Sequence, residues 1–123
     1  MEQQVKKKIL IIDDEPTFVK MISARLSANG YEVVTASDGE AGLRLIEVEK
    51  PNLIVLDVMM PMMDGYTFIR ELKGTREENP IPVIVLTAKE RMEDLFKVEG
   101  VDDYMLKPYE PSELLQKIKK HIG

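Results

Sequence analysis

Two hydrophobic patterns alternate along the chain. Short continuous apolar runs are typical of strands buried on both faces, whereas apolar residues that recur every three or four positions are typical of helices that bury one face. Five strands are predicted, at residues 9–12, 31–36, 53–56, 83–86 and 102–106. Five helices are predicted, at about residues 16–29, 38–50 and 65–73, through residues 92–96 to Gly100, and from Pro111 onward.

Helix start and stop signals support this division. Pro16 suits the first turn of a helix, the Asn-Gly pair at 29–30 supplies a left-handed stop, and Ser-Asp-Gly-Glu at 37–40 has the spacing of a capping box. Gly42 lies inside the second helix, where glycine costs up to about 1 kcal/mol relative to alanine, so we expect close packing against the sheet there. With a helix after every strand and no hairpin turns, the order predicts one doubly wound α/β domain over residues 1–123, with a five-stranded parallel sheet.

Composition limits the chemistry that the chain can perform. It has no cysteine and one histidine, which excludes disulfides, thiolate zinc sites and a cysteine nucleophile, so oxygen atoms must hold any metal. A net charge of −5 argues against direct binding of nucleic acid. There is no apolar run long enough for a membrane span and no signal-peptide core at the start, so we expect a cytoplasmic protein without a membrane partner.

Polar side chains stand where the predicted strands end. A single aspartate after a strand is more often a loop residue than a reactive group, but here several strands share the feature. Because the carboxyl ends of parallel strands meet at one edge of a sheet, and neighbouring strands lie about 4.8 Å apart, these groups can converge on one cleft. They are Asp13 and Asp14 on the first strand, Asp57 on the third, Thr87 on the fourth and Lys107 on the fifth.

Three carboxylates that converge in this way repel one another, and a bound divalent cation relieves the repulsion. Magnesium is the natural choice, since it prefers oxygen ligands and is commonly shared between carboxylates, water and a phosphate. Lys107 adds a second positive charge, and the Thr87 hydroxyl can hydrogen-bond a phosphoryl oxygen. Together, the carboxylates, the cation, Lys107 and Thr87 predict phosphoryl transfer to a carboxylate.

The motifs at these strand ends resemble the receiver domain of two-component response regulators, and the resemblance covers essentially the whole chain. It implies a flavodoxin-like fold with strand order 2-1-3-4-5 and five helices on both faces of the sheet. The motifs are Ile11-Ile12-Asp13-Asp14-Glu15, residues 57–65 (DVMMPMMDG), Leu86-Thr87-Ala88 and Asp103-Tyr104-Met105-Leu106-Lys107-Pro108.

The resemblance also implies a role for each site residue. Asp57 would accept a phosphoryl group from the phosphohistidine of a sensor kinase or phosphotransfer protein. Asp14 and Asp57 would bind Mg²⁺ directly, Asp13 would bind it through water, and the Met59 backbone carbonyl would be a further ligand. Such a protein phosphorylates and dephosphorylates itself, and is not an enzyme that turns over an external substrate.

The family's switch maps onto two residues. Thr87 would move toward the phosphoryl group, and Tyr104, which we expect to occupy two positions, would turn inward to fill the space. The face formed by the fourth helix, fifth strand and fifth helix would then bind a downstream protein. The chain is expected to be a monomer or a phosphorylation-dependent dimer.

Some positions depart from the family's pattern. The segment from Thr87 to Gly100 is shorter than in most members, next to the switch. Met59 and Lys89 occupy positions where relatives often tune the access of water to the aspartyl phosphate, and we hypothesise that bulky Met59 slows its hydrolysis. We expect His121, near the end of the last helix, to be solvated, and the Asp-Asp pair at 102–103 to be loop acids.

Two alternatives belong to other functional classes. A receiver-shaped interaction module that uses no phosphate is one, and the complete set of aspartates with Thr87 and Lys107 argues against it. An aspartyl-phosphate hydrolase is the other. Such enzymes often have a second aspartate two residues after the nucleophile, where this chain has Met59.

Overall fold

The computed structural model describes residues 6–57, 65–75, 80–88, 102–107 and 110–123. The strands in these ranges are β1 (Lys8–Ile12), β2 (Glu32–Ala36), β3 (Leu53–Asp57), β4 (Val83–Ala88) and β5 (Asp103–Lys107). The helices are α1 (Pro16–Ala28), α2 (Gly39–Glu49), α3 (Gly65–Thr75) and the C-terminal helix α4 (Pro111–Ile122). The fourth of the five predicted helices, through residues 92–96, lies outside the described residues.

The five described strands form one parallel sheet in the order β2-β1-β3-β4-β5, which confirms the predicted order. β1 lies between β2 and β3, and its last residue, Ile12, is opposite Ala36 on one side and Leu56 on the other. The carboxyl ends of β1 and β3 are therefore neighbours on the same edge of the sheet. None of the helices in the described part of the chain has the length and apolar character needed to cross a membrane.

Helices cover both faces of the sheet, as predicted. Side chains alternate along each strand, so successive residues of β1, β3 and β4 enter opposite cores. On one face, α2 and α3 contribute buried residues to the core: Ile46, Phe68, Ile69 and Leu72 pack with Leu10, Ile12, Ile54, Leu56, Val83 and Val85. On the other face, α1 and α4 do so: Ile22, Leu26, Leu114 and Ile118 pack with Ile9, Ile11, Leu53, Val55, Ile84 and Leu86.

The start of α2 differs by one residue from the predicted capping box. Asp38 is the N-cap, and its Oδ1 accepts a hydrogen bond of 2.8 Å from the Ala41 amide. Ser37, which the spacing placed at the cap, is exposed. An aspartate at this position satisfies an amide of the first turn and also interacts favourably with the helix dipole.

Close packing between α2 and the sheet at Gly42 is confirmed. A Cβ atom at this position would lie 2.5 Å from Ile12 Cδ1 and 3.4 Å from Phe68 Cε2. Because real Cβ atoms essentially never approach a neighbour within 3.0 Å, a side chain here requires the surrounding atoms to move. Gly42 therefore lets the helix lie directly on the last residue of β1.

The amino-terminal edge of the sheet is held by paired charges. Lys8 Nζ lies 2.9 Å from Glu49 Oε1 and 3.5 Å from Glu32 Oε2, which joins the starts of β1 and β2 to the end of α2. The hydrogen bond to Glu49 raises the pKa of Lys8. The Lys8 amide also donates to Asn52 Oδ1, at 2.8 Å, just before β3 begins.

A second charge cluster at this edge corrects two predictions. Asp103 is the first residue of β5, inside the predicted strand, so its interpretation as a loop acid is wrong. Its carboxylate lies 2.9 Å from Lys117 Nζ and 3.1 Å from His121 Nε2. The His121 side chain is only 18% exposed, so the prediction that it is simply solvated is wrong. The helical spacing of Lys117 and His121 places both side chains on the face of α4 that meets β5. Burial raises the Asp103 pKa, but hydrogen bonds from Lys117, His121 and the Tyr104 amide outweigh it, so the net pKa is lowered.

Candidate functional site

The carboxyl edge of the sheet carries a cluster of three aspartates. Asp57 is the last residue of β3, and Asp13 follows the last residue of the neighbouring strand β1. Each of Asp13, Asp14 and Asp57 offers a carboxylate oxygen, and these oxygens lie within 4.8 Å of one another. The structure thus brings together the three carboxylates that the sequence placed at the ends of the first and third strands.

The three aspartates differ in their exposure. Asp13 and Asp57 are only 3% and 5% exposed, whereas Asp14 is exposed. Two of the carboxylates therefore lie inside the protein, and the third lies at the surface beside them. Carboxylates at this spacing repel one another, and the repulsion is stronger where water is excluded.

Two backbone groups fix Asp13. Its amide donates a hydrogen bond of 3.1 Å to the Ala36 carbonyl, at the end of β2. Its Oδ1 accepts a hydrogen bond of 2.9 Å from the Glu15 amide, immediately before α1. This second contact is an Asx turn, in which an aspartate side chain binds the backbone two residues later. The end of β2 and the start of α1 therefore set the position of the Asp13 carboxylate.

A cleft of about 170 Å³ opens beside the cluster, between the start of α1 and the end of β2. Its lining includes two of the aspartates and apolar side chains from both elements. The lining residues are Asp13, Asp14, Pro16, Val19, Thr35, Ala36 and Ser37.

The donor set of the cluster fits a hard divalent cation. All of its side-chain ligands are carboxylate oxygens, which Mg²⁺ and Ca²⁺ prefer, and Mg²⁺ is commonly held by one or two carboxylates with water completing the shell. A cation among these oxygens would offset the repulsion between them. The exposed Asp14 leaves the cluster open to solvent on one side, where water and a phosphate can approach.

Thr87 and Lys107 stand at the same edge of the sheet. Asp57 is opposite Leu86 in the β3–β4 pairing, so Thr87 is the next residue along β4. In the β4–β5 pairing, Thr87 is opposite Leu106 and Lys107 is opposite Ala88. Thr87 is therefore on the strand next to Asp57, and Lys107 is on the strand after that. Their side chains, and all of Met59, lie outside what the structure describes.

Comparison with known families identifies the family of the chain. The family model for the response regulator receiver domain matches residues 9–119. The chain belongs to this family. Receiver domains are signalling switches of two-component systems rather than enzymes that turn over an external substrate.

Relatives of this receiver domain include longer regulators. The probable transcriptional regulator ycf27 of Cyanophora paradoxa is 50% identical over 116 residues, which are 93% of this chain and 47% of the relative. The alkaline phosphatase synthesis transcriptional regulatory protein PhoP of Bacillus subtilis is 44% identical over 117 residues, 94% of this chain and 48% of the relative. The chain thus spans about half the length of the curated relatives it matches.

Solved structures of other receiver domains share the fold. The chemotaxis response regulator CheY4 of Vibrio cholerae is 29% identical, with a TM-score of 0.86 over 96% of this chain and 100% of that one. The receiver domain of the sensor histidine kinase PA1611 from Pseudomonas aeruginosa is 30% identical, with a TM-score of 0.86 over 97% of this chain and 99% of that one. The PA1611 structure has a magnesium ion coordinated in its active site cleft.

Tyr104 lies on β5, two strands away from β3 in this receiver domain. It is the second residue of β5, opposite Val85 of β4, and its partly buried side chain packs against the core under α2 and α3. Its amide donates to Asp103 Oδ1 at 2.9 Å. The structure gives Tyr104 one position, and the two positions expected of a switch remain a prediction.

Sequence reasoning missed the groups that hold Asp13. The Glu15 amide and the Ala36 carbonyl are backbone groups, and no residue type identifies them. The signal for the first was present, since an aspartate two residues before the N-cap residue, here Glu15, is typical of an Asx turn at a helix start. The second depends on the pairing of β1 with β2, which no local pattern specifies.

Proposed function

We propose that the chain is a phosphoacceptor switch in which Asp57 takes a phosphoryl group from the phosphohistidine of a sensor kinase or phosphotransfer protein. The observation that carries the proposal is the position of Asp57 at the carboxyl end of β3, 5% exposed, with its carboxylate within 4.8 Å of those of Asp13 and Asp14. Asp57 in this position has two acidic neighbours that can hold a metal together with it. One of them, Asp14, is exposed, so solvent can reach the cluster beside it.

Magnesium is the proposed cofactor. Asp13, Asp14 and Asp57 are the side chains that would hold it, and the Met59 backbone carbonyl is a further proposed ligand. When bound, Mg²⁺ would neutralise the negative charge that otherwise opposes the approach of a phosphoryl group to a carboxylate. The magnesium bound in the cleft of the PA1611 receiver domain supports this choice.

The transfer itself needs little beyond positioning. A carboxylate oxygen of Asp57 forms the new bond to phosphorus while the bond between phosphorus and the histidine nitrogen breaks, and the imidazole leaves with the bonding electron pair. Asp13, held by the Glu15 amide and the Ala36 carbonyl, would contribute a carboxylate in a defined position. Thr87 and Lys107 would bind phosphoryl oxygens, since their backbones lie at the same edge.

The output is proposed to be a change in protein binding. Thr87 would move toward the phosphoryl group and Tyr104 would turn inward, which would alter the proposed output face of the fourth predicted helix, β5 and α4. Moving a two-state equilibrium from 1:99 to 99:1 takes about 5.5 kcal/mol of differential stabilisation, which several charge-assisted hydrogen bonds to a phosphoryl group can supply.

The target of this output is proposed to be a protein. Several relatives are named transcriptional regulators and are about twice as long as this chain, so the target can belong to the same polypeptide or to another. With a net charge of −5, these residues are not proposed to bind nucleic acid themselves. The active form is proposed to be a monomer or a phosphorylation-dependent dimer.

Intact mass measurement tests the proposal. The protein is incubated with Mg²⁺ and a small acyl phosphate, and we expect one phosphoryl group on the wild type and on Asp102→Asn, and none on Asp57→Asn. Asp102 is a matched control because it lies at the opposite edge of the sheet, where its Oδ2 accepts from the Val83 amide. Absence of phosphate on the wild type would favour the phosphate-independent module. Continued consumption of the acyl phosphate without accumulation of phosphorylated protein would favour the hydrolase.

A further inference from the structure

Gly42 lies where α2 meets the strand that leads to Asp13. A Cβ atom at this position would lie 2.5 Å from Ile12 Cδ1, 3.1 Å from Ile12 Cγ1 and 3.4 Å from Phe68 Cε2. Ile12 is the last residue of β1, and Asp13 is the next residue along the chain. The space that a side chain at position 42 would need is thus filled by the neighbour of a proposed metal ligand.

Ile12 must either rotate its side chain or shift with its strand, because both contacts within 3.1 Å are with its side-chain atoms. It is fully buried, as is Phe68 beside it, and its strand is paired with β2 on one side and β3 on the other. Interiors are packed at crystal density, so an added methyl group displaces its neighbours instead of filling a void.

We infer that Gly42 is a positioning residue for the aspartate cluster, and that it acts through Ile12 on Asp13. The inference rests on the function proposed above, because it concerns the affinity of the same site for Mg²⁺. The absence of a side chain lets Ile12 pack directly against α2, and this packing sets where β1 ends and where the Asp13 carboxylate lies.

Two ways of accommodating a larger residue lead to Asp13. If β1 shifts at Ile12, then Asp13 shifts with it. If α2 moves outward instead, it moves the chain at its own start, where the Asp38 cap follows closely on Ala36, whose carbonyl accepts the Asp13 amide. A third way, a rotation of the Ile12 side chain alone, would leave Asp13 where it is. The experiment must therefore distinguish a displaced strand or helix from a rotated side chain.

Residues that orient metal ligands without touching the metal commonly change metal affinity by about 10–100-fold when altered. We expect Gly42→Ala to weaken Mg²⁺ binding by about tenfold, at the lower end of that range because only one methyl group is added. The control is Gly74→Ala in α3, where a Cβ atom would meet nothing within 4 Å, and its Mg²⁺ affinity should equal that of the wild type.

The test is a calorimetric Mg²⁺ titration of the wild type, Gly42→Ala, Ile12→Val, the double variant and Gly74→Ala, at a temperature where circular dichroism shows each to be folded. Valine lacks Cδ1, the atom nearest to the added methyl group, so the double variant should recover most of the lost affinity and bind Mg²⁺ within about twofold of Ile12→Val. Because every variant is titrated where it is folded, a loss of stability that leaves Asp13 in place would not change the measured affinity.

The outcomes separate the two proposals. If the wild type does not bind Mg²⁺, the proposed function fails and the role of Gly42 fails with it. If the wild type binds but Gly42→Ala binds equally well, or if Ile12→Val does not restore the affinity, then the proposed function stands and the positioning role is overturned. If Gly42→Ala alone does not fold, the double variant is compared with Ile12→Val. A much weaker Mg²⁺ affinity in the double variant than in Ile12→Val would then contradict an action of Gly42 through Ile12 Cδ1.

Discussion

His121 Nε2 lies 3.1 Å from Asp103 Oδ2, and this contact ties the last turn of α4 to the first residue of β5. Lys117 Nζ reaches the other carboxylate oxygen at 2.9 Å, and the Tyr104 amide donates to the same oxygen. The carboxylate therefore receives hydrogen bonds from the helix and from its own strand, at the edge of the sheet opposite the aspartate cluster.

This cluster predicts a pH-dependent part of the folding free energy. Because the pKa of Asp103 is lower in the folded protein than its ordinary value of 3.8, the folded state binds fewer protons here than the unfolded state. The stabilisation is thus fully present above that ordinary value and is lost as the pH falls through the lower folded value. We expect Asp103→Asn to lower the free energy of unfolding by about 1.5 kcal/mol at neutral pH, with the difference from wild type shrinking as the pH is lowered toward 3.

Urea denaturation across that pH range measures the effect. Glu40→Gln, on the exposed first turn of α2, is the control, because its carboxylate belongs to a different helix from Lys117 and His121. A difference between Asp103→Asn and wild type that stays constant down to the lowest pH would contradict a role for the ionised carboxylate.

The helix cap at the start of α2 gives a second prediction. Asp38 Oδ1 accepts from the Ala41 amide at 2.8 Å, whereas the adjacent Ser37 is exposed. Removing an N-cap side chain typically costs about 1 kcal/mol, since one amide of the first turn loses its partner. We expect Asp38→Ala to lower the free energy of unfolding by that amount and Ser37→Ala to change it by less than about 0.5 kcal/mol. Chemical denaturation measures both changes. Equal losses in the two variants would contradict the assignment of Asp38 as the N-cap residue.

These two cases show what the sequence could and could not predict. The strands, their order and the meeting of Asp13, Asp14 and Asp57 follow from apolar runs that end on carboxylates and from the geometry of parallel sheets. His121 was misjudged because its partner, Asp103, belongs to a different element, and the contact depends on how α4 lies against β5. The cap was misplaced by one residue because Ser and Asp are both good caps, and only the backbone conformation selects between them.

Gly42 and Gly74, which lie inside helices, predict opposite changes in stability. Gly74 lies near the end of α3 with open space around it, so Gly74→Ala should raise the free energy of unfolding by up to about 1 kcal/mol through helix propensity. Gly42→Ala gains the same propensity but overpacks Ile12, which typically costs about 1–3 kcal/mol. We therefore expect a net loss at position 42. Thermal and urea denaturation of both variants provide the comparison, and a gain at both positions would mean that Ile12 yields without cost.

The aspartate cluster predicts a trade between stability and metal binding. Asp13 and Asp57 are buried with their carboxylates close together, so the metal-free fold carries repulsion that a neutral amide would remove. In Asp13→Asn, the remaining oxygen can still accept from the Glu15 amide, so the Asx turn is retained. We expect this variant to be more stable than the wild type without Mg²⁺, by about 1 kcal/mol, because a folded-state charge repulsion is lost.

Addition of Mg²⁺ should reverse that order. A ligand that binds only the folded state stabilises it by RT ln(1 + [L]/Kd), so the wild type gains stability as Mg²⁺ rises while Asp13→Asn, with a weaker site, gains much less. Urea denaturation at zero and at saturating Mg²⁺ gives both differences in one experiment. If the two proteins gained equally from Mg²⁺, the cation would be bound elsewhere. If Asp13→Asn were instead less stable without the metal, the buried carboxylate would be serving the fold rather than a cation site.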